Sequence, residues 1–206
     1  PRSLVIQPYK NENVTISGAT EVKASWHIYK NGIYETELKL GNSPDQFFMN
    51  GKAMPMARYP NFDSSARVFN GTDPNAFNTV RGKGWNNPSG GYIHALHPGE
   101  WGGFHYRFTG VNKEGQLQME GGWQNNRPNK MHAELRFVEN IFEELDAPGE
   151  WFLDREKQLL YFYPPKNINL QTAKIEVSNL TESFVLKGSL HKPLQNITFS
   201  GLHFTH

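Results

Sequence analysis

Tryptophan rings held in open loops beside planar polar groups can serve as flat platforms for a ligand that has both an apolar face and a hydroxyl rim, as a sugar does. Trp85, Trp101 and Trp123 are the aromatics placed for that work. Each lies in a Gly- or Asn-rich loop: Gly84-Trp85-Asn86-Asn87, Glu100-Trp101-Gly102-Gly103 and Gly121-Gly122-Trp123-Gln124-Asn125-Asn126-Arg127. Trp26 and Trp151 instead sit in alternating apolar runs and read as core. Arg127 shares its loop with Trp123, so both are candidates to touch substrate. The alternative for such loop tryptophans is packing onto a sheet edge. Arg58 precedes Tyr59-Pro60, and proline biases the residue before it towards extended backbone. A guanidinium there can fork onto hydroxyls or a uronate, or pair with a carboxylate of the fold.

Clustered carboxylates are the residues for general acid–base work; on a glycosidic bond, for example, such a pair would stand about 5–5.5 Å apart for retention and ~6.5–9.5 Å for inversion. The densest acidic cluster is Glu139, Glu143, Glu144 and Asp146. Ile141, Phe142 and Leu145 fall on one helical face in this stretch, and Ala147-Pro148-Gly149 ends it. The pattern predicts a short helix on which Glu139 and Glu143 share a face, solvated rather than catalytic. His94, His97 and His105 match no zinc spacing and read as structural. His203 and His206 lie on a short β run near the C-terminal end. Of these, His206 is a candidate to face a groove. The Asn-x-Thr triplets at Asn13, Asn70, Asn179 and Asn196 read as turn residues.

The elements that would position these groups are short strands. Asn31-Gly32 lies between Trp26–Lys30 and Ile33–Leu38, and Asn50-Gly51 follows Gln46–Met49. Both dipeptides suit a two-residue hairpin turn in which the central residues have positive φ. Tyr92–Leu96, Phe104–Phe108 and Gln116–Glu120 alternate and are bounded by glycine. Glu150–Asp154 and Gln158–Tyr163 form a third hairpin. Residues 22–170 therefore read as an antiparallel β-sandwich.

The ends differ. Asn13-Val14-Thr15-Ile16-Ser17-Gly18 is echoed by Asn196-Ile197-Thr198-Phe199-Ser200-Gly201 almost the whole chain away. Short runs joined by polar corners, such as Leu4–Ile6, Ile175–Val177, Phe184–Leu186 and Ile197–Phe199, suit a stacked solenoid. The expectation is an all-β protein in which a sandwich is inserted between rungs of a right-handed parallel β-helix. Its segments are 1–21, 22–170 and 171–206. The chain opens mid-phrase at Pro1-Arg2-Ser3-Leu4-Val5-Ile6, as if drawn from a longer one.

Composition sets the outer bounds. The chain has 206 residues and a net charge of +1, which gives no case for nucleic acid or an anionic membrane. No run approaches the ~18 apolar residues of a membrane span, and there is no signal-peptide pattern. Zero cysteines remove disulfides and thiolate metal sites; they fit an exported bacterial protein, secreted or periplasmic, and equally leave a cytosolic one open.

Three phrases carry a family resemblance. They are Phe48-Met49-Asn50-Gly51-Lys52-Ala53-Met54-Pro55-Met56-Ala57-Arg58-Tyr59-Pro60-Asn61, the stretch from Glu139 to Asp154, and the closing stretch from Asn196 to His206. They resemble bacterial right-handed parallel β-helix glycoside hydrolases of the β-xylosidase and α-L-fucosidase type. In that family a β-sandwich is inserted between early coils of the helix. The resemblance implies a carbohydrate substrate, hydrolysis without a cofactor, and packing against the rest of the β-helix. It also implies catalytic carboxylates on later coils, outside this chain. Two other classes stay open: a non-catalytic glycan-binding module, and a β-helix polysaccharide lyase. A lyase would often hold Ca²⁺ in an acidic cluster, and no convincing one stands out.

Overall fold

The computed structural model describes residues 3–41, 43–124 and 127–206. Pro1, Arg2, Asn125 and Asn126, quoted above, lie outside the described residues. In chain order the strands begin with β1 (Leu4–Ile6), β2 (Val14–Ser17), β3 (Ala19–Glu21), β4 (His27–Lys30) and β5 (Ile33–Glu37). They continue with β6 (Phe47–Met49), β7 (Lys52–Met54), β8 (Arg58–Tyr59), β9 (Tyr92–Leu96) and β10 (Gly103–Val111). Next come β11 (Leu117–Gly121), β12 (Trp123–Gln124), β13 (Arg127–Pro128), β14 (Arg136–Glu139) and β15 (Trp151–Asp154). The last are β16 (Leu159–Phe162), β17 (Ile175–Ser178), β18 (Ile197–Phe199) and β19 (Leu202–Thr205). One α-helical turn, Thr79–Gly82, lies between β8 and β9. The protein is all-β, and most of its sheets are antiparallel.

Two four-stranded sheets, ordered β3-β17-β6-β7 and β15-β16-β5-β4, face one another. Phe47, Ile175 and Val177 of the first meet Trp151, Leu153, Leu160 and Phe162 of the second in one core, with Trp26 closing it. Alternation makes this possible, because residues i and i+2 of a strand share a face. The Asn-Gly turns form as expected: Asn31 and Gly32 have φ of 51° and 82°, and Asn50 and Gly51 have 52° and 75°. A five-stranded sheet, β11-β10-β9-β14-β8, builds a second core from Ile93, Phe104, Tyr106, Phe108 and Val138. That core is covered by Trp85 and Ile141 rather than by another sheet.

The terminal segments pair parallel. Leu4–Ile6 runs beside Ile197–Phe199, and Val14–Ser17 beside Leu202–Thr205. The echoed phrases are therefore not stacked on each other: each pairs with a different strand of the other segment. Gly18 ties the segments together. Its carbonyl accepts from the N–H groups of Asn179 and Leu180, both at 2.9 Å, and its own N–H donates to Thr205 O at 3.0 Å. A side chain at Gly18 would run into the His206 carbonyl.

Two expectations need correction. Residues 139–145 do not form a helix. Arg136–Glu139 is a strand, Asn140 takes a φ of 57°, and Phe142–Glu144 is a single 3-10 turn. Seven residues carry too little 3.6-residue period to outweigh the neighbouring strand pairing. Phe184–Leu186 is not a strand, although Phe184 packs edgewise on Phe199 and Phe204. The antiparallel body also extends past residues 22 and 170, since β3 and β17 pair with each other and β17 with β6.

Candidate functional site

The five-stranded sheet has two unlike faces. Its inward side chains are Ile93, Ala95, Phe104, Tyr106, Phe108 and Val138, all buried. The alternate positions, Tyr92, His94, His105, Arg107, Phe137 and Glu139, belong to the opposite face. Cross-strand register sets them side by side: His94 opposite His105, Phe137 opposite His94, and Glu139 opposite Tyr92. This second face is aromatic and polar at once, the mixture a sugar ring requires.

Its centre is a coupled set of rings. His94 and His105 meet Nδ1 to Nδ1, and His94 stacks on Phe137 with centroids 4.6 Å apart. The His94 Nε2 comes within 2.9 Å of Glu139 Oε1, off the line of a hydrogen bond. Burial, and then the neighbouring His94, hold the pKa of His105 below the usual histidine value, while Glu139 pulls weakly the other way. With Nδ1 of His105 taken by His94, a neutral His105 is left with Nε2 as the ring nitrogen that can meet a hydroxyl.

Trp123 lies beside this face. With Tyr92, His105, Arg107 and Glu120 it lines an open groove of about 390 Å³. Its position comes from the glycines before it. Gly122 has a φ of 65°, and a Cβ there would drive into the Tyr106 ring. The backbone can therefore press onto Tyr106 and turn into the β12–β13 hairpin. The Gly122 N–H donates to His105 O at 2.8 Å, and the Tyr106 hydroxyl donates to Asn129 O at 2.8 Å. Trp123 is left 60% exposed on a well-anchored base.

The five sequence candidates do not converge. Trp123 and Arg127 share the β12–β13 hairpin, where Arg127 is exposed and pairs with Gln124 across the ladder. Trp101 is 59% exposed but lies against His97, with centroids 4.2 Å apart, and outside the groove. Of the two readings left open for Arg58, its surroundings here are those of a residue held by the fold. It is 4% exposed, donates from Nε to Pro60 O at 2.8 Å and from Nη2 to Gly71 O at 2.9 Å, and lies over Phe137. It ties a long loop to the sheet. His206 is also elsewhere: its ring packs on Phe48 at 4.1 Å and its Nδ1 meets Ser17 Oγ at 3.0 Å.

Two carboxylates prove more constrained than the sequence suggests. Both Glu144 oxygens accept from Arg81 Nη1 at 2.8 Å, and Oε1 also accepts from Trp85 Nε1 at 2.8 Å. Trp85 is thus a core residue with a satisfied indole, and Arg81 lies over the Tyr59 ring. Glu150 is 1% exposed, and burial raises its pKa to about 8. The N–H groups of Ala147 and Asp146, donating to Oε2 at 3.1 and 3.2 Å, pull the other way without prevailing. Glu143 accepts from the Asn86 backbone and side-chain amides. Among the described residues no group of three or more His, Asp or Glu is placed to hold a metal, and no helix is long and apolar enough to cross a membrane.

No family model matches this chain, and no curated protein matches it. A solved structure described as a glycoside hydrolase is similar to it, with a TM-score of 0.73 and 20% sequence identity. The likeness covers 99% of this chain and 38% of the other. At that identity the two share a fold. The chain spans well under half the length of that glycoside hydrolase.

Proposed function

We propose that this chain is part of an exported bacterial glycoside hydrolase acting on a complex polysaccharide or its oligosaccharides. The antiparallel body walls the substrate groove, and the face carrying Trp123, Tyr92, His105 and Arg107 contacts the glycan. The observation that carries this reading is the fold likeness, which runs over nearly the whole chain to a glycoside hydrolase. The parallel pairs support a right-handed β-helix frame of the β-xylosidase and α-L-fucosidase type. The double hydrogen bond from Asn179 and Leu180 to Gly18 supports an insertion whose entry and exit lie together. On this reading the division between β-helix and insertion falls near Gly18 and Asn179, and the acid and base of hydrolysis belong to the β-helix outside this chain.

The test is product analysis with a longer protein carrying this chain, incubated with plant or algal polysaccharide fragments. Release of saturated reducing ends is the expected outcome. An unsaturated, ultraviolet-absorbing product would make it a lyase, and absence of any product would remove the enzyme reading. A second reading, a glycan-binding module, is favoured by the exposure of Trp123 in a groove whose described lining contributes a single carboxylate, Glu120. Binding by that longer protein without turnover would select it.

A further inference from the structure

A second cleft opens where the five-stranded sheet meets the β15-β16-β5-β4 sheet. Its volume is about 440 Å³, within the ~300–1,000 Å³ of small-molecule sites. One wall is aromatic. Tyr29, Phe142, Phe152 and Tyr161 pack edge to face, with the Tyr29 and Tyr161 centroids 5.1 Å apart and those of Phe142 and Tyr161 4.9 Å apart. Tyr29 is 37% exposed, so this wall presents ring surface to the cleft as well as to its own core.

The opposite wall and rim are polar, with donors and acceptors in balance. Asn86 is held by Glu143, whose Oε1 accepts from both its backbone N–H and its Nδ2 at 3.0 and 2.8 Å. Lys157 is committed to Asp154 at 2.8 Å. Arg155 is exposed on the β15–β16 turn and reaches the same rim, as does Arg107. The lining holds Arg107, Arg155 and Lys157 against Glu143, Asp154 and Glu156, so the charges cancel. No net field draws an ion into it. A rigid aromatic wall facing fixed amides and a guanidinium suits ring C–H groups on one side and hydroxyls on the other.

We propose that this cleft is a binding site for a short neutral saccharide, separate from the Trp123 groove although Arg107 borders both. It does not depend on the hydrolase reading, because a binding module would use it equally. The test is backbone amide chemical-shift mapping of the 206-residue chain with cellobiose, lactose and digalacturonate, each raised to about 10 mM, where millimolar affinities are visible. The expected result is saturable shifts at Tyr29, Phe152 and Arg155 with cellobiose or lactose and none with digalacturonate. Tyr29→Ala and Arg155→Ala, both at exposed positions, should each weaken that binding roughly tenfold. The shifts at Tyr29, Phe152 and Arg155 should saturate with a midpoint of their own, distinct from any shifts at Tyr92 and Trp123, which separates this cleft from the groove. Absence of shifts with either neutral sugar, shifts with digalacturonate alone, or binding at Tyr29, Phe152 and Arg155 that Tyr29→Ala does not weaken would overturn the proposal.

Discussion

The antiparallel body and the terminal parallel pairs use the same apolar residue types with opposite results. Phe47, Phe162 and Ile175 in the body are at most 2% exposed, while Leu4, Val5 and Phe204 in the parallel strands are 49–53% exposed. The difference lies in partnership. Two four-stranded sheets can close on one another, so each apolar face is covered. A parallel pair only two strands wide has one neighbour and leaves much of its apolar surface uncovered. The stability of this chain therefore resides in the body, and the pairs follow it.

Four substitutions can break or sharpen that contrast. The largest effect belongs to Trp151→Ala at the centre of the body. It should cost about 3–5 kcal/mol in denaturant unfolding, and a loss below 1 kcal/mol would undo the assignment of the main core. Glu150→Gln should be next, with a pH-dependent sign. The folded pKa is about 8 against an ordinary 4.5, so the folded state keeps a proton that the unfolded state releases. Stability from this group is greatest below about pH 4.5 and falls as pH rises towards 8. Glutamine keeps an acceptor for the Asp146 and Ala147 N–H groups and does not ionise. The variant should gain a few kcal/mol near pH 8 and little near pH 4.5, in thermal melts across pH. The strands of the parallel pairs carry no carboxylate, so this dependence belongs to the body alone. Glu144→Gln should cost roughly 2–3 kcal/mol, because Arg81 loses its charge partner where it is only partly exposed. Phe204→Ala should cost under about 1 kcal/mol, since half of its ring is already in water. A cost as large as that of Trp151→Ala would mean the parallel pairs are as well packed as the body.

What was legible in the sequence was mostly local. Asn31-Gly32 and Asn50-Gly51 dictate positive φ within two residues, so their hairpins could be read directly. The exposure of Trp123 followed from glycines adjacent to it. The helix at 139–145 failed because Asn140 leaves the helical region and Arg136–Val138 pair with β9, a contact more than forty residues away in sequence. The surroundings of Arg58, Glu144 and Trp85 were not legible for the same reason. Each is defined by a partner on another element, Arg58 by Gly71 and Phe137, Glu144 by Arg81 and Trp85. Such burial depends on register between distant strands, which spacing alone does not encode. The echoed phrase marked the two segments that pair in parallel but not which strand lies on which.

The claim that the Trp123 face touches glycan is open to one direct measurement: calorimetric titration of Tyr29→Ala, in which the second cleft is weakened, and of the same protein carrying Trp123→Ala as well, with neutral polysaccharide oligomers and with melting temperature followed in parallel. Trp123 is 60% exposed, so the melting temperature should hold while the affinity falls about tenfold or more. Equal affinity in both proteins, or no binding by either, would contradict the account.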